Sequence, residues 1–164
     1  MDALLRPLVG LYGLSNGILA TSISDLSDQD AKVRSRSGSG PSIAWTIGHL
    51  CHYKVVALGL LGHPRENLFA ATFESTPASD GADYPPLADL AESFTRLNAE
   101  LCAALESASA RLEAPMPGAG PHDEKKVLDT VLFFAWHEAY HIGGIGAIRK
   151  GLGRKAISDL VTGR

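Results

Sequence analysis

Val127-Leu128-Asp129-Thr130-Val131-Leu132-Phe133-Phe134-Ala135-Trp136-His137-Glu138-Ala139-Tyr140-His141-Ile142-Gly143-Gly144-Ile145-Gly146-Ala147-Ile148-Arg149-Lys150 is an apolar run that reads as one long helix. Within it, His137 and His141 stand four residues apart. On a helix that places them about 40° from each other and one turn along the axis, so both imidazoles reach one ion. Such a pair suits zinc, nickel or another borderline divalent metal. The same five letters, His137 to His141, also spell the peptidase signature H-E-x-x-H.

Working outward, three more segments carry helical periodicity. The first spans about Asp2 to Ile23, with Leu4, Leu5, Leu8, Leu11, Tyr12, Ile18 and Leu19 as a broad apolar stripe. Ser24 to Asp28 and Ser35 to Pro41 have turn and loop chemistry. Ser42 is placed to cap a second helix of about Ser42 to Leu61, which Gly62-His63-Pro64 ends. A connection of about Gly62 to Pro85 follows, long enough to suggest that it covers something or moves. The third helix, about Pro86 to Ser109, sets Leu87, Leu90, Phe94, Leu97, Leu101 and Leu105 on one face. Pro115, Pro117, Gly118, Gly120 and Pro121 break the chain before the fourth helix. That helix is expected from about Asp123 to Lys150, with Asp123 and Glu124 at its positive end and Gly151 and Gly153 stopping it. Ala156 to Leu160 has room for one further turn. No segment alternates as a strand and nothing repeats. The expectation is an all-α four-helix bundle forming a single domain over residues 1–164.

Composition narrows the classes of function. The chain has 164 residues, 45% hydrophobic and 20% charged, with a formal charge of −3. A weakly acidic balance gives no electrostatic reason to expect nucleic acid or an anionic membrane as partner. Two basic clusters, Lys32 with Arg34 and Arg36, and Arg149 with Lys150, Arg154 and Lys155, read as solvated faces or helix-end charges. Cys51 and Cys102 are too few for a disulfide framework and match no metal or redox spacing, so they read as small apolar residues in a reducing compartment. The N-terminal stretch carries Asp2, Pro7, Gly10 and Gly13 and no A-x-A site, which argues against a secretory signal. A cytoplasmic location is the expectation.

Two ligands rarely hold a metal tightly, so a third is required. The candidates are His49, His52, His63 and His122, besides carboxylates. His49 shares a helix face with Trp45, His52, Tyr53 and Val56; His52 lies one turn away and can substitute for it. His63 and His122 flank prolines in loops. A peptidase of the H-E-x-x-H type needs its third ligand downstream. Gly144 occupies the glycine position of the extended signature, but Ala147 stands where the last histidine belongs, and Asp159 is the one later acid. Peptidase chemistry is therefore disfavoured. Gly143, Gly144 and Gly146 point instead to a site: each costs a helix on the order of 1 kcal/mol against alanine. Gly144 falls on the histidine face, where a missing side chain leaves room for a ligand or a close helix.

Ser42-Ile43-Ala44-Trp45-Thr46-Ile47-Gly48-His49-Leu50, together with His137-Glu138-Ala139-Tyr140-His141-Ile142-Gly143 and Ile148-Arg149-Lys150-Gly151-Leu152-Gly153, resembles the DinB-like (YfiT-like) metal-binding four-helix bundles. Helix order and the long connection between helices two and three match as well. The resemblance implies a facial triad of His49, His137 and His141 binding nickel or zinc, with open positions for water. It departs at Gly144, where many relatives carry glutamine. Members include thiol-dependent S-transferases and an isomerase using a low-molecular-weight thiol. The expectation is thus a metal-dependent enzyme with a small-molecule substrate, a low-molecular-weight thiol among the candidates, acting as a homodimer; the rival is a metal-binding module without catalysis. Glu138 is the candidate catalytic base, with two other roles open to it: orienting a histidine, or forming a surface ion pair. Trp45 and Tyr53 are candidate pocket walls, with core packing the simpler reading for Trp45.

Overall fold

The computed structural model describes residues 5–74, 81, 83–118, 120 and 124–162. Among these the chain is helical, with one isolated antiparallel bridge between Pro115 and Lys126 and no strand. Four long helices build the bundle: α1 (Arg6–Ile23), α3 (Ile43–Leu60), α5 (Leu87–Glu106) and α7 (Val127–Gly151). Short helices fill the connections: α2 (Asp28–Lys32), α4 (Ala70–Phe73), α6 (Ser109–Leu112) and, after α7, α8 (Ile157–Thr162). The expected all-α bundle is what the chain forms.

The helices exist for local reasons that the packing then reinforces. Pro7 lies in the first turn of α1, where its missing N–H costs nothing, and Leu8, Tyr12, Ser15, Leu19 and Ser22 form the buried stripe. Leu11, expected in that stripe, is partly exposed, because the face is narrower than a hydrophobicity reading suggests. Ser42 caps α3 as expected: its Oγ accepts from the Trp45 N–H at 3.1 Å. Ile43 to His52 are all buried, so α3 is wrapped on every side, packing on α5, α7, α2 and α4. On α5 the expected face, Leu87 through Leu105, is buried throughout. That helix ends at Glu106, and α6 restarts at Ser109 after Ser107 leaves the helical conformation (φ −112°, ψ 3°).

The fourth long helix begins later than expected, at Val127. Asp123 lies outside the described residues, and Glu124 precedes the helix. Extended backbone wins here because Met116 N–H donates to the Lys125 carbonyl at 2.9 Å and Val127 N–H to the Ala114 carbonyl at 3.0 Å. The acid at the positive end is Asp129, whose Oδ2 accepts from the Lys126 N–H at 2.8 Å. At the other end Gly151 is the last helical residue, and Gly153 takes the left-handed conformation (φ 72°) that stops the chain. No helix among the described residues is long and apolar enough to cross a membrane.

Candidate metal centre

The site forms where α3 meets α7, and its first member is held from outside both. Gly48 has no side chain, and a Cβ there would sit 2.6 Å from the Phe73 ring. The glycine lets Phe73, at the end of α4, lie directly on α3, where it is 2% exposed. That seat brings the Phe73 carbonyl to 2.6 Å from His49 Nδ1. A carbonyl only accepts, so Nδ1 carries the proton and Nε2 keeps its lone pair for an ion. The first part of the long connection thus covers His49, as its length suggested; residues 75–80 and 82 lie outside the described residues.

His137 and His141 reach the same point from α7. His49 Nε2 lies 3.3 Å from His137 Nε2, and His141 Nε2 lies 3.0 Å from His137 Nε2. All three ligand atoms fall within 4.8 Å of one another. Nitrogens bonded at about 2.0–2.1 Å to one ion stand roughly 3.0–3.4 Å apart at tetrahedral or octahedral angles, so both separations from His137 match a shared ion, and the three histidines could hold one. The acid–base state fits too. Burial, then the neighbouring imidazoles, holds His137 and His141 down at about 4, and burial lowers His49 against the pull of its Phe73 bond. At neutral pH all three rings are uncharged, the form that binds metal.

Aromatic rings enclose the triad. Trp45 stacks on His49 with centroids 4.5 Å apart, and Tyr53 meets both His49 and His137 edge-on at 4.9 and 4.8 Å. Trp45 is buried and Tyr53 partly so, which makes them core and wall at once. His52 stays out of the triad: it is buried elsewhere, with its Nδ1 at 3.0 Å from Asn67 Nδ2. His63 is exposed, and His122 lies outside the described residues.

Glu138 is not a surface residue. It is 3% exposed, its Oε2 is 2.6 Å from Lys54 Nζ, and Lys54 also donates to Asn98 Oδ1 at 2.7 Å. The Lys54 ammonium lies over the Phe94 and Tyr12 rings at 4.3 and 4.8 Å. Burial pulls Lys54 down and pushes Glu138 up, and each partner's charge resists that. The helical angle between positions 137 and 138 reads as outward-facing only if no polar group waits in the core. Lys54, inside an apolar helix, is the signal that identifies the partner. The other carboxylate oxygen, Oε1, and His137 Nδ1 are both buried without a protein hydrogen-bond partner. Glu138 and His137 line one small cavity of about 10 Å³ with Tyr12, Tyr53 and Lys54.

On the other side His141 borders a much larger cleft, of about 890 Å³. Gly143 and Gly144 line it, and a Cβ added at either meets nothing within 4 Å, so the bared helix face opens onto space beside His141. Arg149, by contrast, does not belong to a solvated cluster. It is fully buried and holds Asp25 through two bonds of 2.6 and 3.1 Å and also the Ser22 carbonyl, which ties the end of α7 to the end of α1.

Comparison with known sequences adds one finding. The model of the DinB superfamily matches residues 17–145, a span that includes all three histidines. No curated protein matches the chain.

Proposed function

The chain belongs to the DinB superfamily, and on that premise we propose that His49, His137 and His141 hold one divalent ion, nickel or zinc, which serves transfer of a low-molecular-weight thiol to an electrophile. The observation that carries the reading is the convergence of three neutral imidazoles, with the His49 tautomer locked by the Phe73 carbonyl. An ion with open coordination positions lowers the pKa of a thiol or of water, which supplies a nucleophile at neutral pH.

The protein's own groups do the rest. His49 is fixed on one nitrogen by backbone, so its ring cannot turn away. His137 has a longer route to a fixed ring: the cavity shared with Glu138 has the size of about one water, which would accept from His137 Nδ1–H and donate to Glu138 Oε1. Glu138 is then a positioning residue that acts through His137. Its engagement with Lys54 also counts against the peptidase reading, in which that glutamate must face the attacking water. Trp45 and Tyr53 keep bulk water from the triad's inner side, and Gly143 and Gly144 leave the substrate side open.

In the transfer itself, the thiol sulfur forms a bond to an electrophilic carbon, the leaving group departs with its electron pair, and the thiol proton goes to solvent. The test is thiol consumption and chloride release with a chloronitrobenzene, using protein loaded with nickel or zinc. The expected result is ion-dependent product formation that His137→Ala abolishes. Stoichiometric metal without turnover across several thiols and electrophiles would favour the non-catalytic metal-binding module instead.

A further inference from the structure

The cleft beside His141 has two unlike walls. Gly143, Gly144 and Ala147 of α7 make one, and its volume of about 890 Å³ suits a small molecule. The other wall is the 33–41 loop, which contributes Arg34 and Arg36. Among the described residues, none that lines the cleft is acidic. In a chain of formal charge −3, the exposed Arg36 gives this wall a positive charge.

The loop is built rather than loose. Ser35 N–H and Oγ both donate to the Pro41 carbonyl, at 3.1 and 2.9 Å, and Gly40 N–H returns to the Ser35 carbonyl at 3.0 Å. Arg34 Nε donates to the Gly40 carbonyl at 3.0 Å. Within this frame Arg36 and Ser37 adopt left-handed backbone, at φ 49° and 53°. Non-glycine residues persist there only when their surroundings hold them. Ser39 does so, its N–H and Oγ both reaching the Arg36 carbonyl at 3.2 and 2.8 Å. Arg36 is exposed, lines the cleft and forms no ion pair with a described residue. A fixed backbone thus places this arginine at the edge of the cleft that His141 borders.

We propose that this cleft binds a small molecule bearing an oxyanion, a carboxylate or a phosphate, which Arg36 receives. The molecule's other end extends along the glycine face toward His141. The proposal rests on the metal reading only for what happens at that other end; recognition of the anion does not require the ion.

The test is a titration of the full chain, metal-loaded and metal-free, with succinate, inorganic phosphate and neutral succinamide, followed by backbone amide NMR shifts. The expected result is saturable shifts at Ser35 to Gly40 with an anion and not with succinamide. Succinate against phosphate decides which oxyanion is preferred. Arg36→Ala should weaken the anion by roughly tenfold or more, as for the loss of a charge-assisted bond. Gly144→Leu, which fills the cleft, should remove binding while metal content stays unchanged. Equal shifts by succinate and succinamide, or undiminished binding by Arg36→Ala, would overturn the proposal. A second arm follows the thiolate-to-cobalt absorption band with ω-mercaptocarboxylates of increasing length and their mercaptoalcohol counterparts. Tighter binding of the acids supports anion recognition, and equal binding opposes it. If no thiol gives a band, the thiol reading fails and the succinate titration still decides the anion.

Discussion

His137 and His141 were legible from spacing alone, because two imidazoles four apart on a helix have few other reasons to be adjacent. His49 was not separable from His52 by spacing; the resemblance selected it, and the structure brings its ring, not that of His52, to the pair. The Phe73 carbonyl had no signature at all, since backbone groups carry no letter. Of the three roles open to Glu138, the structure removes the surface ion pair, because its partner, Lys54, lies in the core. Two consequences belong at this scale. Unfolded, the triad histidines take protons near 6.5, whereas burial holds His137 and His141 at about 4 in the folded chain. Between those values the unfolded chain binds more protons, so stability of the metal-free protein falls as pH falls through that window. The urea midpoint should therefore drop between about pH 7 and pH 4.5, and drop less in a His137→Phe/His141→Phe variant. Glu138→Gln should weaken metal affinity by roughly 10–100-fold, the usual cost of losing a group that orients a ligand. Competition with a colorimetric chelator reads this, and unchanged affinity would remove Glu138 from that role.

Helix α7 does two jobs along its length, and the sequence showed only one. Its middle carries the histidines, while its end is anchored by Arg149 to Asp25 and the Ser22 carbonyl of the α1 terminus. A fully buried arginine among apparent surface cations cannot be told from its neighbours by composition. Arg149→Met should cost about 2–4 kcal/mol in urea unfolding, less than a wholly buried pair because Asp25 is partly exposed. Lys150→Met, at an exposed position, should stay within about 0.5 kcal/mol. The long helices were readable from periodicity, with ends shifted where other bonds intervened, as at Lys126 and Ser107. Of the short ones, α8 forms where Ala156 to Leu160 has room for a turn, whereas α2, α4 and α6 are too short to show a period. For α2 a signal existed: Ser27 and Asp30 form a capping box, with Asp30 N–H donating to Ser27 Oγ at 3.1 Å and Ser27 N–H to Asp30 Oδ2 at 3.0 Å. For α4, a single turn of Ala-Ala-Thr-Phe, only the seat that Gly48 leaves for Phe73 makes the helix worth forming.

At the scale of the molecule, the bundle keeps its chemistry on one side. α3 runs through the centre, α5 and α1 complete the apolar core, and α7 closes the face on which the histidines meet. An ion there joins α3 to α7 directly and α4 through His49, so binding adds to the stability of the whole fold. At a free ion concentration about 100 times its dissociation constant, the gain is roughly 2.7 kcal/mol. A nickel- or zinc-dependent rise in Tm, reversed by chelator, should follow and should vanish when the triad is replaced. The most direct measurement is metal content after equilibrium dialysis, for the wild type and for His49→Ala, His137→Ala and His141→Ala, each checked for helical folding by circular dichroism. The expected result is one divalent ion per chain in the wild type and its loss from every folded variant, His49→Ala included. A wild type that retains no stoichiometric ion, or a His49→Ala variant that binds as tightly as the wild type, would contradict the three-histidine centre.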